Sequence, residues 1–309
     1  MPAVVNYAES YQQGLQQRYA ANGLLYTQKL WSSPSNGKLK FTGAKTVKVP
    51  KLLIKNGRKD RTRRTITAVD ANYENQWEEY TLTNERYWST LVDPLDIDET
   101  NQAVSIANIT KVYNDEEKIP EMDKQMVSTL FARKKALSPT AGITEIAITK
   151  DNFLETFDAM MTAMDEAGVP TEGRSIFCTP TVRTMVKNLQ AFSRTVPVQN
   201  STGEINRIIN RLDDVTIEPA IPSERMKTLY DFTTGAVADP TAQQVHFFLI
   251  YIPCMAAPQK YSFVGLDAPS AANSGNYLYY EQSYDDVLLF ETKHEGLAFA
   301  VEPAAAGGE

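Results

Sequence analysis

The segment from residue 41 to residue 92 limits the choice of folds more than any other part of the sequence. Two legs rich in strand-forming residues, Phe41 to Ile54 and Trp77 to Val92, flank a charged loop that contains the turn dipeptide Asn56-Gly57. This pattern predicts a long β-hairpin. Because a two-stranded ribbon alone is only marginally stable in water, a hairpin of this length needs a surface on which to lie. The pattern of the legs does not bury it within its own chain.

Charge is divided unevenly along the 309 residues. Residues 1–64 contain 13 Lys or Arg and two acids, a net charge of +11, although the whole chain carries −7. The remainder therefore carries −18. Such a division is typical of a basic arm that binds nucleic acid or of a basic arm that docks on the acidic body of a neighbouring copy. The acidic remainder argues against a protein that only binds nucleic acid.

The loop between the two legs concentrates the basic charge. Six of its ten residues are basic, so the loop is too charged to bury and too polar to fold alone. We expect it to project into solvent or onto a partner. The six residues are Lys55, Arg58, Lys59, Arg61, Arg63 and Arg64.

Helical and strand patterns alternate after the hairpin. Thr100 is a candidate N-cap of a long helical stretch that reaches residue 137 and is broken at Pro120. Further helices are predicted at 151–167, after Thr179-Pro180, and from Ile205 to Leu212; further strands are predicted at 175–179, 215–217, 245–252, 277–290 and 297–301. The first 35 residues are polar and are expected to form an arm that is ordered mainly by partners.

The chain lacks the residue groups on which most enzymes depend. It has two histidines, His246 and His294, too few for a histidine-based metal or catalytic cluster. Cys178 and Cys254 lie beside apolar residues and are expected to be buried, reduced thiols rather than a disulfide. No glycine-rich phosphate loop is present. We expect no catalytic residue, no cofactor and no metal.

Membrane insertion is not predicted. No apolar run approaches the roughly 20 residues that cross a bilayer. The start Met1-Pro2-Ala3 is followed by polar sequence without the apolar stretch of a secretory signal, so cytosolic synthesis is expected.

The order of these parts resembles the coat protein of tailed bacteriophages of the Hong Kong 97 type, especially the coats of phages with Gram-positive hosts. The likeness spans about residues 40–303 and depends on the order and spacing of several segments, none of them catalytic. The segments are Thr46-Val47-Lys48-Val49-Pro50, Tyr80-Thr81-Leu82-Thr83, Val92-Asp93-Pro94-Leu95-Asp96-Ile97-Asp98-Glu99-Thr100-Asn101, Ile119-Pro120-Glu121-Met122-Asp123, Ile221-Pro222-Ser223-Glu224-Arg225-Met226, Tyr284-Asp285-Asp286-Val287 and Lys293-His294-Glu295-Gly296.

The resemblance implies an α+β fold with five parts. These are an N-terminal arm (1–40), an extended β-hairpin loop (41–92), a peripheral domain with a long helix (93–140 and 276–295), an axial α/β domain (141–275 and 296–303) and a flexible tail (304–309). It implies a non-enzymatic major capsid protein that assembles as hexamers and pentamers into an icosahedral shell around double-stranded phage DNA. Such a protein is assembled in the host bacterial cytoplasm and resides in the virion.

The implied partners are other copies of the chain, portal, scaffolding and decoration proteins, and packaged DNA bound without sequence specificity. In the family the extended loop lies over the peripheral domain of an adjacent subunit. We therefore expect the six basic loop residues to approach acids of a neighbour. The candidate acids are Asp93, Asp96, Asp98, Glu99, Glu116 and Glu117.

Three other readings stay open at the level of sequence. An encapsulin-like compartment would use the same fold for a shell without DNA. A soluble enzyme could use Asp or Glu as acid and base, and a nucleic-acid-binding protein could use residues 38–64 as its arm. In some coat proteins a loop lysine forms a covalent link to an asparagine of a neighbour; Lys55 or Lys59 would take that place here, but no acceptor is evident and we expect no link.

Overall fold

A mixed six-stranded sheet forms the centre of the structure, a computed structural model that describes residues 24–43, 45–58, 60–64, 71–99, 105–188 and 210–304, apart from the side chain of Tyr261. The helices are α1 (Gln28–Trp31), α2 (Pro94–Glu99), α3 (Ile106–Tyr113), α4 (Ile119–Leu137), α5 (Phe153–Glu166) and α6 (Pro180–Lys187). The strands are β1 (Lys40–Phe41), β2 (Thr46–Ile54), β3 (Tyr73–Thr81), β4 (Asn84–Val92), β5 (Ile143–Glu145), β6 (Arg174–Cys178), β7 (Arg211–Leu212), β8 (Val215–Ile217), β9 (Tyr230–Asp231), β10 (Val237–Ala238), β11 (Val245–Tyr251), β12 (Met255–Ala256), β13 (Gln259–Asp267), β14 (Tyr277–Asp285), β15 (Leu288–Leu289) and β16 (Leu297–Val301).

The central sheet has the order β5-β16-β11-β6-β8-β7, and helices cover both of its faces. On one face Phe248 stacks on Phe177 at 4.9 Å between ring centroids and lies 5.3 Å from Phe299, in a cluster that includes α4. On the other face Phe247 meets Phe153 of α5 at 5.3 Å. Burial on both faces explains why β11 and β16 read as continuous apolar runs rather than alternating ones.

The long helix is continuous from α3 through a π-helical turn, Asn114–Lys118, into α4. The sequence predicted a break at Pro120. The structure instead widens the helix just before the proline, where the ring of Pro120 would clash with the carbonyl of Glu116 in a regular helix. Thr100, the predicted N-cap, lies outside the described residues.

The predictions for α5, β6 and α6 are confirmed. Gly168, with φ of +71°, follows α5, and the Thr179 hydroxyl accepts a hydrogen bond from the Val182 amide at the start of α6. The helix predicted from Ile205 to Leu212 is wrong at its end, because Leu212 lies in β7 and pairs with Val215 of β8. The rest of that prediction falls outside the described residues.

The second leg of the hairpin requires a correction. Strand β3 pairs with β2 from Thr46 opposite Thr81 to Ile54 opposite Tyr73, but β4 pairs along its whole length with β14. The hairpin therefore ends at Thr81 rather than at Val92. The change of partner occurs at buried Leu82 and at Thr83, whose amide and hydroxyl donate to the Asp286 carboxylate at 3.0 and 3.2 Å.

The predicted boundary between the peripheral and axial domains also requires a correction. It falls at residue 275, between β13 and β14, yet these strands form an antiparallel hairpin and, with β4, a three-stranded sheet of order β13-β14-β4. We name this the peripheral sheet. Sequence patterns did not reveal β13, because Ser262 and Gly265 interrupt its apolar residues.

The end of the predicted N-terminal arm is bound to its own body rather than to a partner. The Thr27 amide and hydroxyl donate to the buried Asp123 carboxylate at 2.9 and 2.8 Å, and Arg225 completes the site at 3.0 Å. Leu30 is fully buried in the cluster beside α4. The arm prediction is therefore wrong for residues 24–40, and residues 1–23 lie outside the described residues.

Candidate subunit-contact surfaces

The β2–β3 hairpin, named the ribbon from here on, has one side on the body and one side free. Paired residues of antiparallel strands point to the same face. The body side includes Val47, which is fully buried, half-buried Tyr80, and Lys51, whose Nζ lies 2.8 Å from a Glu291 carboxylate oxygen. These contacts hold the ribbon against the segment that follows β15.

The opposite side of the ribbon, its outer face, is exposed, and beyond the ion pair of Lys48 with Glu79 it carries mainly apolar side chains. Ile54 and Tyr73 face each other across the strands and are 77 % and 68 % exposed, and Leu52 and Trp77 are exposed on the same face. Nζ of Lys40, on β1, lies 5.6 Å from the Trp77 ring centroid. Apolar side chains grouped in this way are typical of an interaction surface.

The root of the ribbon is fixed to the peripheral sheet. Nζ of Lys45 lies 3.3 Å from Glu85 and 5.1 Å from the centroid of the Tyr284 ring, and Nζ of Lys260 lies 4.6 Å from the centroid of the Phe41 ring. The ribbon therefore leaves the body in a defined direction, although its tip extends beyond these contacts.

The predicted basic residues lie at or beyond the tip of the ribbon. Lys55 forms an ion pair of 2.6 Å with Glu74 of β3, so this residue contacts its own hairpin rather than a member of the predicted acidic set. Arg58, Arg61, Arg63 and Arg64 are exposed, and Lys59 lies outside the described residues.

The predicted acidic residues lie on two neighbouring helical segments. Asp93 accepts a hydrogen bond of 2.9 Å from the Leu95 amide at the start of α2, and α2 carries half-buried Asp96 and exposed Asp98 and Glu99. Glu116 and Glu117 lie in the π-helical turn. The acids of α2 follow directly after β4, at the end of the peripheral sheet that is remote from the root of the ribbon.

The inner face of the peripheral sheet is held against the long helix by aromatic and ionic contacts. Trp88 stacks on Tyr113 with 3.9 Å between ring centroids. Arg86 binds both carboxylate oxygens of Glu121 at 2.7 and 3.1 Å. Bidentate pairs of this kind fix direction as well as distance, so the sheet and the helix form one layered unit.

The outer face of the peripheral sheet is a second aromatic surface, which sequence reasoning missed. Tyr87 stacks on Tyr280 at 6.1 Å and Phe263 lies 6.3 Å from Tyr280, while exposed Leu91 extends the same face. The alternation of Tyr87 and Leu91 with inward-facing Trp88 was a visible signal. It was misread because β4 was assigned to the ribbon.

The two cysteines are confirmed as free and buried. Burial raises the pKa of Cys178 to about 11 and that of Cys254 to about 12, so neither thiol is a nucleophile at neutral pH. His246 contacts Glu302 at 2.6 Å beside β11, and the exposed ring of His294 contacts the Glu291 carbonyl oxygen at 2.7 Å. Both histidines therefore have structural partners.

The described ranges contain neither a cluster of metal-binding side chains nor a membrane-spanning helix. There, no three side chains of His, Cys, Asp or Glu lie close enough together to hold a metal ion. No helix in the same ranges is long and apolar enough to cross a bilayer.

Comparison with known proteins gives matches in structure alone. No family model and no curated protein matches the sequence. The capsid of the cyanophage P-SCSP1u is similar at a TM-score of 0.64 and 10 % identity, over 98 % of this chain and 93 % of that one. The mature capsid of bacteriophage PhiM1 is similar at a TM-score of 0.60 and 11 % identity, over 98 % of this chain and 92 % of that one. The capsid of the native GTA particle is similar at a TM-score of 0.56 and 12 % identity, over 98 % of this chain and 96 % of that one.

The chain has the fold of these capsid proteins. The match runs over nearly the whole of both chains, so it includes the ribbon, the peripheral sheet and the central sheet together. The α+β fold of the Hong Kong 97 type predicted from the sequence is thus confirmed as an overall fold.

The two thiols provide a test of the buried core of this capsid fold. Because raised pKa values leave about one thiolate in a thousand or fewer at pH 8, we expect neither cysteine of the folded protein to react with a thiol-specific chromogenic reagent within minutes. Both should react after unfolding in guanidinium. A Ser270→Cys variant, at an exposed loop position, should react at once when folded; rapid reaction of the unaltered folded protein would contradict the packing described.

Proposed function

We propose that this chain is the major capsid protein of a tailed bacteriophage, a structural protein that assembles as hexamers and pentamers into an icosahedral shell around double-stranded DNA. The observation that carries the proposal is the exposed apolar outer face of the ribbon, on a chain with a capsid fold. The body side of the ribbon is already used by its own chain, through Val47 and Lys51. Ile54 and Tyr73 of the outer face stay exposed among the described residues, so we assign their cover to another molecule.

A second copy of the chain supplies that cover in this proposal. The outer face of the peripheral sheet is aromatic, and its strands β4 and β14 are nine residues long, as are β2 and β3 of the ribbon. Strands of that length span about 30 Å, so the two surfaces match in extent as well as in chemistry. A contact between two different surfaces of identical chains is heterologous, and it closes into rings.

The predicted charge contact fits the same arrangement. A ribbon lying along the sheet of a neighbour with its tip away from that neighbour's root brings Arg61, Arg63 and Arg64 towards the acids of α2. Exposed ion pairs contribute about 0 to 1 kcal/mol each, whereas full burial of a Leu or Ile side chain contributes about 1.5 to 3 kcal/mol. We therefore assign most of the contact free energy to the apolar faces and orientation and rate of association to the charges.

We keep the predicted domain division with three changes. Strands β4 and β13 join the peripheral domain with the long helix, and residues 24–40 belong to the body. The axial domain is then built on the central sheet. Portal, scaffolding and decoration proteins and packaged DNA remain proposed partners, with the virion as the proposed location and the host cytoplasm as the proposed site of assembly.

The contents of purified particles test this function against its alternative. Particles isolated from infected or expressing cells and treated with nuclease should retain double-stranded DNA of genome length when the remaining phage proteins are present. Shells that never protect DNA under those conditions, and that instead enclose a cellular enzyme, would favour an encapsulin-like compartment. A stable monomer that forms no particle would contradict both.

Charge reversal at the ribbon tip tests the ionic part of the contact. In a triple variant, Arg61→Glu, Arg63→Glu and Arg64→Glu, repulsion from the acids of a neighbour should lower the yield of particles at least tenfold at low salt, while circular dichroism of the subunit stays unchanged. The matched control replaces three exposed basic residues of the axial domain, Lys150, Lys187 and Arg211, with Glu and makes the same change in net charge. Salt should screen the repulsion and restore part of the yield, whereas normal assembly of the tip variant at low salt would show that the charges do not contribute.

A further inference from the structure

Strand β13 leaves one edge of the peripheral sheet open. Its other edge pairs with β14 over eight residue positions, but among the residues that the structure describes no strand pairs with the open edge. An open edge exposes a row of main-chain amide and carbonyl groups, and such rows readily pair with a strand of another chain.

The side chains of β13 are exposed on both faces of the sheet, unlike those of β4. Phe263 on the outer face is 46 % exposed, and Val264 and Leu266 on the inner face are 59 % and 56 % exposed. On β4 the inner-face residues Arg86 and Trp88 are half-buried against the long helix. The helix layer therefore covers β4 and β14 but stops short of β13, which leaves apolar groups uncovered above and below one edge.

The middle of β13 lacks the features that normally keep an edge strand single. Between Lys260 and Asp267 there is no charged residue and no proline, and the pairing with β14 is regular from Tyr261 to Asp267. The two charges lie at opposite ends of the strand. This arrangement makes the edge complementary to itself when two copies run antiparallel, because each Lys260 end then lies beside the Asp267 end of the other copy; a parallel arrangement would bring like charges together.

We propose that β13 pairs antiparallel with β13 of a second copy across a twofold axis, joining two three-stranded peripheral sheets into one sheet of six strands. A twofold contact needs only one surface, since both copies present the same patch. Pairing satisfies the main-chain groups of both open edges, and it covers apolar side chains on both faces of the sheet. No other protein is required to complete the edge.

This contact differs in kind from that of the ribbon. The ribbon contact is heterologous and closes rings, whereas a shell built from rings also needs a contact that joins one ring to the next. The β13 pairing supplies that second contact. Its place between the rings of a shell rests on the proposed function. The pairing itself is detectable between two subunits whether or not they belong to a shell.

A charge placed in the middle of the edge tests the role of β13 in assembly. In Val264→Lys, two ammonium groups would meet at the paired edges, so we expect rings of five or six subunits seen by electron microscopy and at least tenfold fewer closed shells. The control Val237→Lys makes the same change at a valine of β10 that is 64 % exposed and lies on neither proposed contact surface. Closed shells of the Val264→Lys variant at the yield of the unaltered protein would overturn the proposal.

Single cysteines test the pairing directly. In an antiparallel pair, residues that face each other point to the same face of the sheet. A twofold axis therefore passes between the two copies of one residue, and the Cβ atoms of these copies lie about 4.5 to 5.5 Å apart. We therefore expect Ser262→Cys, Phe263→Cys, Val264→Cys and Leu266→Cys, tested one at a time with an added oxidant, to give a disulfide-linked dimer mainly at one position, and Ser89→Cys to give little. The natural thiols are buried and do not compete.

Absence of a linked dimer at all four positions, or equal yields at all of them, would overturn the β13 pairing. The same experiment separates this inference from the function proposed for the chain. A dimer linked at one position in a protein that never forms particles would support the pairing and refute the capsid function. DNA-filled shells without any linked dimer would support the capsid function and refute the pairing.

Discussion

An apolar face on a two-stranded ribbon, left exposed by the part of the chain that the structure describes, is the constraint on which the rest of the structure depends. Main-chain pairing alone does not hold such a ribbon in water, and buried Val47, half-buried Tyr80 and the ion pair of Lys51 fix its body side. The outer face, with Ile54 and Tyr73 at its far end, is left for another molecule. In the function that we propose, that molecule is a second copy of the chain.

The remaining structure gives that ribbon a fixed direction. Asp286 is buried at its root, where it accepts from Thr83 and binds Arg133 at 3.1 Å, so the start of β4 is tied to α4. The Glu121 pair of Arg86 and the stack of Trp88 on Tyr113 then tie the peripheral sheet to the same long helix. A firmly held root is what makes a repeated contact between copies reproducible, because small errors in direction would grow along a ribbon about 30 Å long.

Sequence patterns correctly predicted the helices and strands that are determined by neighbouring residues in the sequence. The apolar spacing of α5, the Thr179-Pro180 start of α6 and the apolar runs of β11 and β16 depend on residues within one turn or one strand, and each is confirmed. The resemblance to phage coat proteins likewise rested on local segments and led to the correct overall fold. The charge division along the chain indicated a contact between copies, which stays a prediction.

Long-range pairings could not be predicted in the same way. Strand β4 has an alternation that suits the ribbon equally well, and only Thr83 bound to Asp286, 203 positions away, decides that it joins β14. Leu212 has helical spacing but pairs with β8, and β13 was hidden by Ser262 and Gly265. The sequence shows the alternation of Tyr87 and Leu91 with Trp88, but the sheet to which this aromatic face belongs follows only from these pairings.

Hydroxyl-radical footprinting of assembled and unassembled protein tests most directly whether the outer face of the ribbon is covered by another copy. Tyr73 and Trp77 should be reactive in the isolated subunit and should lose most of that reactivity in intact particles, while Leu229 and Val237, exposed away from the ribbon, serve as internal references. Equal reactivity of Tyr73 and Trp77 in particles and in isolated subunits, or protection already present in a monomer, would contradict the account.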